Sequence, residues 1–231
     1  MKNMTKKKIL IIEPHSDDSC LASAGFFIKN KDKYEFNFCL ITASDLNMNH
    51  AFVPRESRLK EYQEFVDYFN GNWVKSSLGN DSLPLDYESR LDSFSKSRLV
   101  AMIEKTILEI KPNVLMFMGP SFHHDHTIVY EAVIAATRPT FCYVPEVMYV
   151  LENATYVHKG NNKELEPNTY VELSESILNE KVKIFHDIFV SQRRSKDNYL
   201  SNEGIVKWAQ YRGIEARCDF SEAFCQIFSR I

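Results

Sequence analysis

The 231-residue chain has no apolar run approaching the roughly 20 residues that cross a membrane as a helix. Its basic start, Lys6-Lys7-Lys8, is followed by a short apolar run, Ile9 to Ile12, and then by Glu13 and Pro14. That run is too short for the apolar heart of a secretory signal peptide. There is no C-x-x-C pair, and the five cysteines (Cys20, Cys39, Cys142, Cys218 and Cys225) are odd in number and widely spaced. A disulfide scaffold is therefore not expected; reduced thiols and a cytoplasmic location are. Basic residues do not concentrate either. Beyond the N-terminal lysines only Arg193-Arg194 adjoin, and the net charge is −3. Phosphate binding needs a concentrated basic face, so nucleic acid is not expected as a partner. Internal repeats and linkers are also missing. With 44% apolar residues the chain can bury a proper core, and the expectation is one domain over residues 1–231.

What is present is an alternation of strand and helix patterns. Ile9 to Ile12 reads as a short buried strand stopped by Pro14, and Ser19 to Asn30 as a helix. Tyr34 to Thr42 reads as a strand, the stretch through Pro54 that carries His50 as a loop, and Glu56 to Asn70 as a helix closed by Asn70-Gly71. Trp73-Val74 reads as a short strand and Ser97 to Ile110 as an amphipathic helix. Val114 to Met118 is a strand ended by Gly119-Pro120, and Thr127 to Arg138 a helix. Phe141 to Val157 reads as further strand, Gly160 to Pro167 as a polar loop, and Leu178 to Phe189 as a helix; the last forty residues have no clear period. This rhythm predicts an α/β fold with a mostly parallel sheet covered by helices on both faces.

Two clusters of metal-ligating residue types follow two of these strands. His15, Asp17 and Asp18 come directly after the first. Ligands of open α/β sheets bind beyond the carboxyl ends of the strands, so an imidazole and two carboxylates there suit a metal and a base. Taken alone, the turn fits a helix N-cap equally well, with Asp17 or Asp18 capping the helix that follows. The second cluster, His123-His124-Asp125-His126, holds three of the seven histidines. Buried core histidines usually come singly, and a histidine-rich surface loop is the other bland reading. Repetition of the context, strand then breaker then His and Asp, favours chemistry, because parallel neighbouring strands would bring both clusters to one rim.

The pair P-H-x-D-D at 14–18 and H-x-D-H at 123–126 resembles the motifs of the PIG-L/LmbE family of zinc-dependent N-deacetylases. Arg58 to Glu61 resembles its R-x-x-E helix, Asp81 to Asp86 its D-G-x-L segment, and Glu152 after Tyr149 its Y-x-x-E strand. Glu166 to Ser174, Ser191-Gln192, Tyr211 to Gly213 and Ser221 to Phe224 resemble its C-terminal half in order, so the likeness covers nearly the whole chain. It implies a Rossmann-like, three-layer α/β/α domain. It also implies one Zn2+ per chain held by His15, Asp18 and His126, with Asp17 as general base. His123 would stabilise the tetrahedral oxyanion or protonate the departing amine, and Asp125 would orient His123 through its other ring nitrogen. The implied substrate is a small N-acetylated sugar of the N-acetylglucosamine type, or a glycoconjugate, cleaved to acetate and an amine.

The chemistry suits those residues. A catalytic zinc keeps three protein ligands and an open position, and two neutral imidazoles with one carboxylate leave the ion net positive. Adjacent carboxylates push their pKa values apart. A hydrolase for a different amide or ester, or a sugar-binding relative without activity, is the alternative; intact ligand and base positions weigh against the latter. The chain departs from the family at Ser16 and Ser19, where proline and an acid are usual, and in a glycine-rich turn reduced to Ala24-Gly25. His124 reads as a rim residue. Arg58 could reach a substrate phosphate or hydroxyl, but a pair with Glu61 or Glu64 on its own helix is the favoured reading. Arg138 and Tyr143 read as structural, and no feature predicts a homo-oligomer.

Overall fold

The computed structural model describes residues 6–48, 51–152, 165–196 and 198–230. Strand β1 (Lys7–Glu13) leads into α1 (Asp18–Asn30) and β2 (Tyr34–Leu40). A short hairpin, β3 (Leu46–Met48) and β4 (Ala51–Val53), precedes α2 (Arg55–Tyr68). Three two-residue strands follow, β5 (Asn72–Trp73), β6 (Ser77–Leu78) and β7 (Asp81–Ser82), then α3 (Lys96–Ile110) and β8 (Val114–Met118). The second half holds α4 (His124–Ala136), β9 (Val147–Leu151), β10 (Thr169–Glu172), α5 (Glu175–Ile188), α6 (Asn202–Ala216) and β11 (Ser221–Ser229).

Seven strands form the central sheet in the order β10-β11-β9-β8-β1-β2-β5. Neighbours from β9 to β5 run parallel, and β11 lies antiparallel to both β9 and β10. Because β1 is covered on both faces, Ile9 to Ile12 are all fully buried, which explains an unbroken apolar run in place of alternation. Ile9 and Ile11 join a core with Phe27, Phe38 and Phe65 under α1, α2, α5 and α6. Leu10 and Ile12 face the other way, into a core with Met102, Ile103 and Val133 under α3 and α4. The expected three layers are present. The chain steps from β1 to β2 on one side and later to β8 on the other, so a crevice opens at the carboxyl ends of β1 and β8.

Most expected elements stand where the periodicity placed them, with ends moved by a few residues. Two differ. The stretch read as a loop before Pro54 contains the β3–β4 hairpin, whose three-residue strands are too short to show alternation; His50 lies outside the described residues. The strand expected from Phe141 starts only at Val147. Phe141 closes a turn on Arg138, and Pro145 has no N–H to give a ladder. Residues 153–164, which include much of the expected polar loop, lie outside the description. No helix among the described residues is long and apolar enough to cross a membrane.

One buried ion pair ties three elements together. Lys181 Nζ of α5 donates to Glu222 Oε1 of β11 at 2.6 Å and to the Leu21 carbonyl of α1 at 2.7 Å. Glu222 in turn accepts the α1 backbone N–H groups of Gly25 (2.8 Å) and Phe26 (2.7 Å). Glycine eases this approach, since a Cβ at position 25 would lie 2.9 Å from Glu222 Oε1 and 2.7 Å from Leu173 Cδ2 and would push those side chains aside. Removing one partner of such a pair leaves an uncompensated buried charge. Lys181→Met is expected to lose about 3–5 kcal/mol of unfolding free energy. Urea denaturation checks this, and a loss below about 1 kcal/mol would show that the pair does not hold α1 in place.

Candidate metal and catalytic site

Both expected clusters reach the crevice. Pro14 ends β1, and a turn of His15, Ser16 and Asp17 feeds α1, whose first residue is Asp18. Backbone pairing continues past the strand, with the Glu13 and Pro14 carbonyls accepting from Ile41 and Thr42, so the turn starts from a fixed point. On the far side of the crevice, Gly119-Pro120 ends β8, and His123 is the N-cap of α4. Asp125 and His126 lie in the first turn of that helix. His15, Asp17, Asp18, Asp125 and His126 are all buried, and His123 is half-buried.

His15 Nδ1 lies 3.1 Å from His126 Nε2. The Asp18 carboxylate spans both, with Oδ1 at 3.3 Å from His126 Nε2 and Oδ2 at 3.5 Å from His15 Nδ1. Ligand atoms around a tetrahedral zinc, bound at about 2.0–2.1 Å, stand roughly 3.3 Å apart. Spacing and donor chemistry therefore fit one face of such a site. The donors are also preset. His15 Nε2 donates to Asp125 Oδ2 at 3.0 Å, which leaves the Nδ1 lone pair toward His126 and Asp18. The His15 backbone N–H donates to Asp18 Oδ2 at 2.8 Å and orients that carboxylate.

Asp125 corrects an expectation. Its carboxylate holds His15, not His123, and also accepts the backbone N–H groups of Ser89 (2.7 Å) and Leu91 (3.1 Å). His123 Nδ1 stands 3.9 Å from Asp125 Oδ2 and accepts the Asp125 backbone N–H at 3.3 Å instead. The reason is helical: an N-cap side chain is aimed at the N–H groups of its own first turn. With Nδ1 accepting, the His123 proton sits on Nε2.

The electrostatics separate the two adjacent aspartates. Burial and the charge of Asp18 raise the Asp17 carboxyl to about 6, against the opposing pull of Arg58 and His15. Burial also works on Asp18, but His126 and His15 outweigh it and hold that carboxyl well below the ordinary range. For His15, burial is outweighed by its bonds to Asp125 and Asp18, and its proton affinity stands well above the usual value. Burial and the neighbouring His15 bring His123 down to about 4. No other side chain among the described residues hydrogen-bonds to Asp17, and as the N-cap of α1 it makes no capping bond.

These groups line a cleft of about 320 Å³ together with Asn47, Arg58, Glu88 and Arg194. Arg58 is buried and pairs with Glu88, not with Glu61 or Glu64 of its own helix. Glu61 instead accepts from Ser191 (N–H 2.8 Å, hydroxyl 2.6 Å), and Glu64 lies near Lys60. Glu88 escaped the sequence reading, because nothing local marks an acid whose partner is thirty residues away. Glu13 also escaped it. Buried at the end of β1, it accepts from Tyr62 Oη (2.7 Å) and the Ser19 N–H (2.9 Å), and burial lifts its carboxyl to about 8. The visible signal was an acid closing an apolar strand. His124 is exposed and does not line the cleft. Arg138 pairs with Glu104 and Tyr143 bonds the Pro112 carbonyl, while Glu152 accepts from Trp208 and Arg212 and lines a second cavity that Asp18 also borders.

By sequence, no characterised protein compared with the chain matches it significantly. Solved structures do match in fold. A triple mutant of the deacetylase of the teicoplanin biosynthetic pathway shares 16% identity, covers 95% of this chain and 97% of its own, and superposes with a TM-score of 0.71. The 4-carboxy-2-hydroxymuconate hydratase GalB of Pseudomonas putida KT2440 shares 14% identity over 97% and 98% of the two chains, with a TM-score of 0.68. The N,N'-diacetylchitobiose deacetylase of Pyrococcus horikoshii shares 18% over 96% and 84%, with a TM-score of 0.64. The PIG-L family model, described as GlcNAc-PI de-N-acetylase, matches residues 10–137, a span that includes both His/Asp clusters and more than half of the chain. The chain therefore belongs to the PIG-L family.

Proposed function

We propose that this protein is a zinc-dependent N-deacetylase acting on a small sugar of the N-acetylglucosamine type or its conjugate, with residues 1–231 as one catalytic domain. The observation that carries the reading is the convergence of His15 Nδ1, His126 Nε2 and the Asp18 carboxylate on an open cleft, with the Asp17 carboxylate, bonded to no other side chain, beside them. His15, Asp18 and His126 would hold one metal ion per chain. When bound, zinc supplies a Lewis acid that polarises a carbonyl and lowers the pKa of water toward neutrality.

The chain's own residues do the rest. Asp17 takes a proton from the attacking water at a carboxylate oxygen, and its raised pKa makes it a better base than an ordinary aspartate. As the water oxygen bonds to the acetamide carbon, the carbonyl electrons move onto oxygen. His123 donates from Nε2 to that oxyanion, stabilising its charge by hydrogen bonding. When the C–N bond breaks, Asp17 returns its proton to the departing nitrogen, so acetate and a free amine leave and Asp17 is again ionised. Asp125 acts through His15, whose tautomer it fixes. Because the fold also carries a hydratase, water addition without C–N cleavage is the second reading. Acetate release from N-acetylated sugars separates the two.

Protein purified without chelator or added metal is expected to carry about one zinc per chain by plasma mass spectrometry, and His126→Ala to lose it. Stoichiometric metal in that variant would remove His126 from the ligand set. Asp17→Asn should keep its zinc while acetate release falls by roughly 10²–10⁴-fold; unchanged turnover would place the base elsewhere. Asp125→Asn is expected to weaken zinc binding by about 10–100-fold, as loss of a ligand's carboxylate partner does. If only turnover fell and zinc affinity held, Asp125 would be acting on His123 after all.

A further inference from the structure

The first turn of a helix leaves backbone N–H groups without helical partners, and the N-cap side chain ordinarily accepts from the second or third of them. In α1 the N-cap is Asp17, a residue of the preferred type, yet its side chain makes no such bond. Asp18, the next residue, spends its carboxylate on the His15 N–H and on His126. One of the two N–H groups that a cap would take, that of Ser19, is satisfied from another element: it donates to Glu13 Oε2 at 2.9 Å. Glu13 is well placed for this. It is fully buried, it is the last residue of β1, and its carbonyl accepts from the N–H of Ile41, the residue that follows β2. Its other carboxyl oxygen accepts from Tyr62 Oη at 2.7 Å, so α2 fixes the rotamer.

We propose that Glu13 is a positioning residue for the metal-binding turn, capping α1 from the strand so that Asp17 and Asp18 are both free for chemistry. Without it, the buried Ser19 N–H draws on the nearest acceptors, which are the carboxylates of the N-cap residue and its neighbour. Either choice turns a base or a ligand away from the cleft. The proposal rests on the reading of His15, Asp18 and His126 as metal ligands, and its test separates the two.

The test compares Zn2+ affinity, by competition with a chromophoric chelator, and the visible spectrum of the Co2+-loaded protein, on chains shown to be folded by circular dichroism. Glu13→Gln retains an oxygen for Ser19 and an amide for Tyr62, and is expected to bind Zn2+ within about threefold of the unaltered chain. Glu13→Leu removes the acceptor at similar volume and is expected to bind roughly 10–100-fold more weakly, with a changed Co2+ spectrum. Because Glu13→Leu also orphans the Tyr62 hydroxyl and could fold poorly, the double variant Glu13→Leu/Tyr62→Phe removes that hydroxyl and should show the same loss. A folded Glu13→Leu or double variant that binds Zn2+ as the unaltered chain does would overturn the proposal and leave the metal reading standing. Failure of the unaltered chain to bind either ion would instead overturn the metal reading on which it rests.

Discussion

Two imidazole nitrogens 3.1 Å apart, with one carboxylate against both, tolerate only a cation or a shared proton between them. That constraint organises the site. It is satisfied in one tautomer of His15, the one in which Nε2–H points at Asp125 and Nδ1 faces inward. Asp125 can enforce that tautomer because its own oxygens are pinned by the backbone N–H groups of Ser89 and Leu91, from a segment outside both ligand clusters. The same bonds to Asp125 and Asp18 outweigh burial and raise the proton affinity of His15.

The sheet makes this precision affordable. β1 and β8 are adjacent and parallel, in register from Ile9 with Val114 to Ile12 with Phe117, and both are buried on two faces. Side chains that leave their carboxyl ends therefore start from backbones that cannot shift independently. α1 is fixed a second time, two turns along, where Lys181 and Glu222 hold its backbone groups. A buried ion pair is weak evidence for net stability, since desolvation offsets much of its attraction. What this one secures is the direction of the helix that begins with Asp18.

Much of this was legible in the sequence, for local reasons. Val114 to Met118 shows its strand because five consecutive apolar residues between breakers leave little else, and the amphipathic α3 shows itself by period. His15, Asp18 and His126 were singled out through the resemblance of their two motifs, and the structure brings those three side chains together. Asp125 was legible as a member of the site but not in its bond. The resemblance implied His123 as its partner, whereas the helical turn aims its carboxylate across the crevice at His15. Glu88 and Glu13 were not legible. Each acquires its role from a partner on another element, Arg58 for the first and Tyr62 for the second, and such pairings carry no local pattern. The same holds for α6 and β11, whose burial is set by α5, β9 and β10 and not by a period of their own.

The five acids around the cleft show why one of them is suited to move protons. Asp125 is held by an imidazole and two backbone N–H groups, Glu88 by Arg58 and the Ser44 N–H, and Glu13 by Tyr62 and Ser19. Asp18 is held by the His15 N–H and lies against both ligand imidazoles. Each of these carboxyl groups is already engaged by donors from its neighbours. Asp17 has none to another side chain, and burial together with its charged neighbour brings it to about 6, where gain and loss of a proton cost least near neutral pH. The proposed base is thus the acid that accepts from no other side chain. It can remain so at the head of a helix, where capping would otherwise claim it, only because another acid reaches that N–H first.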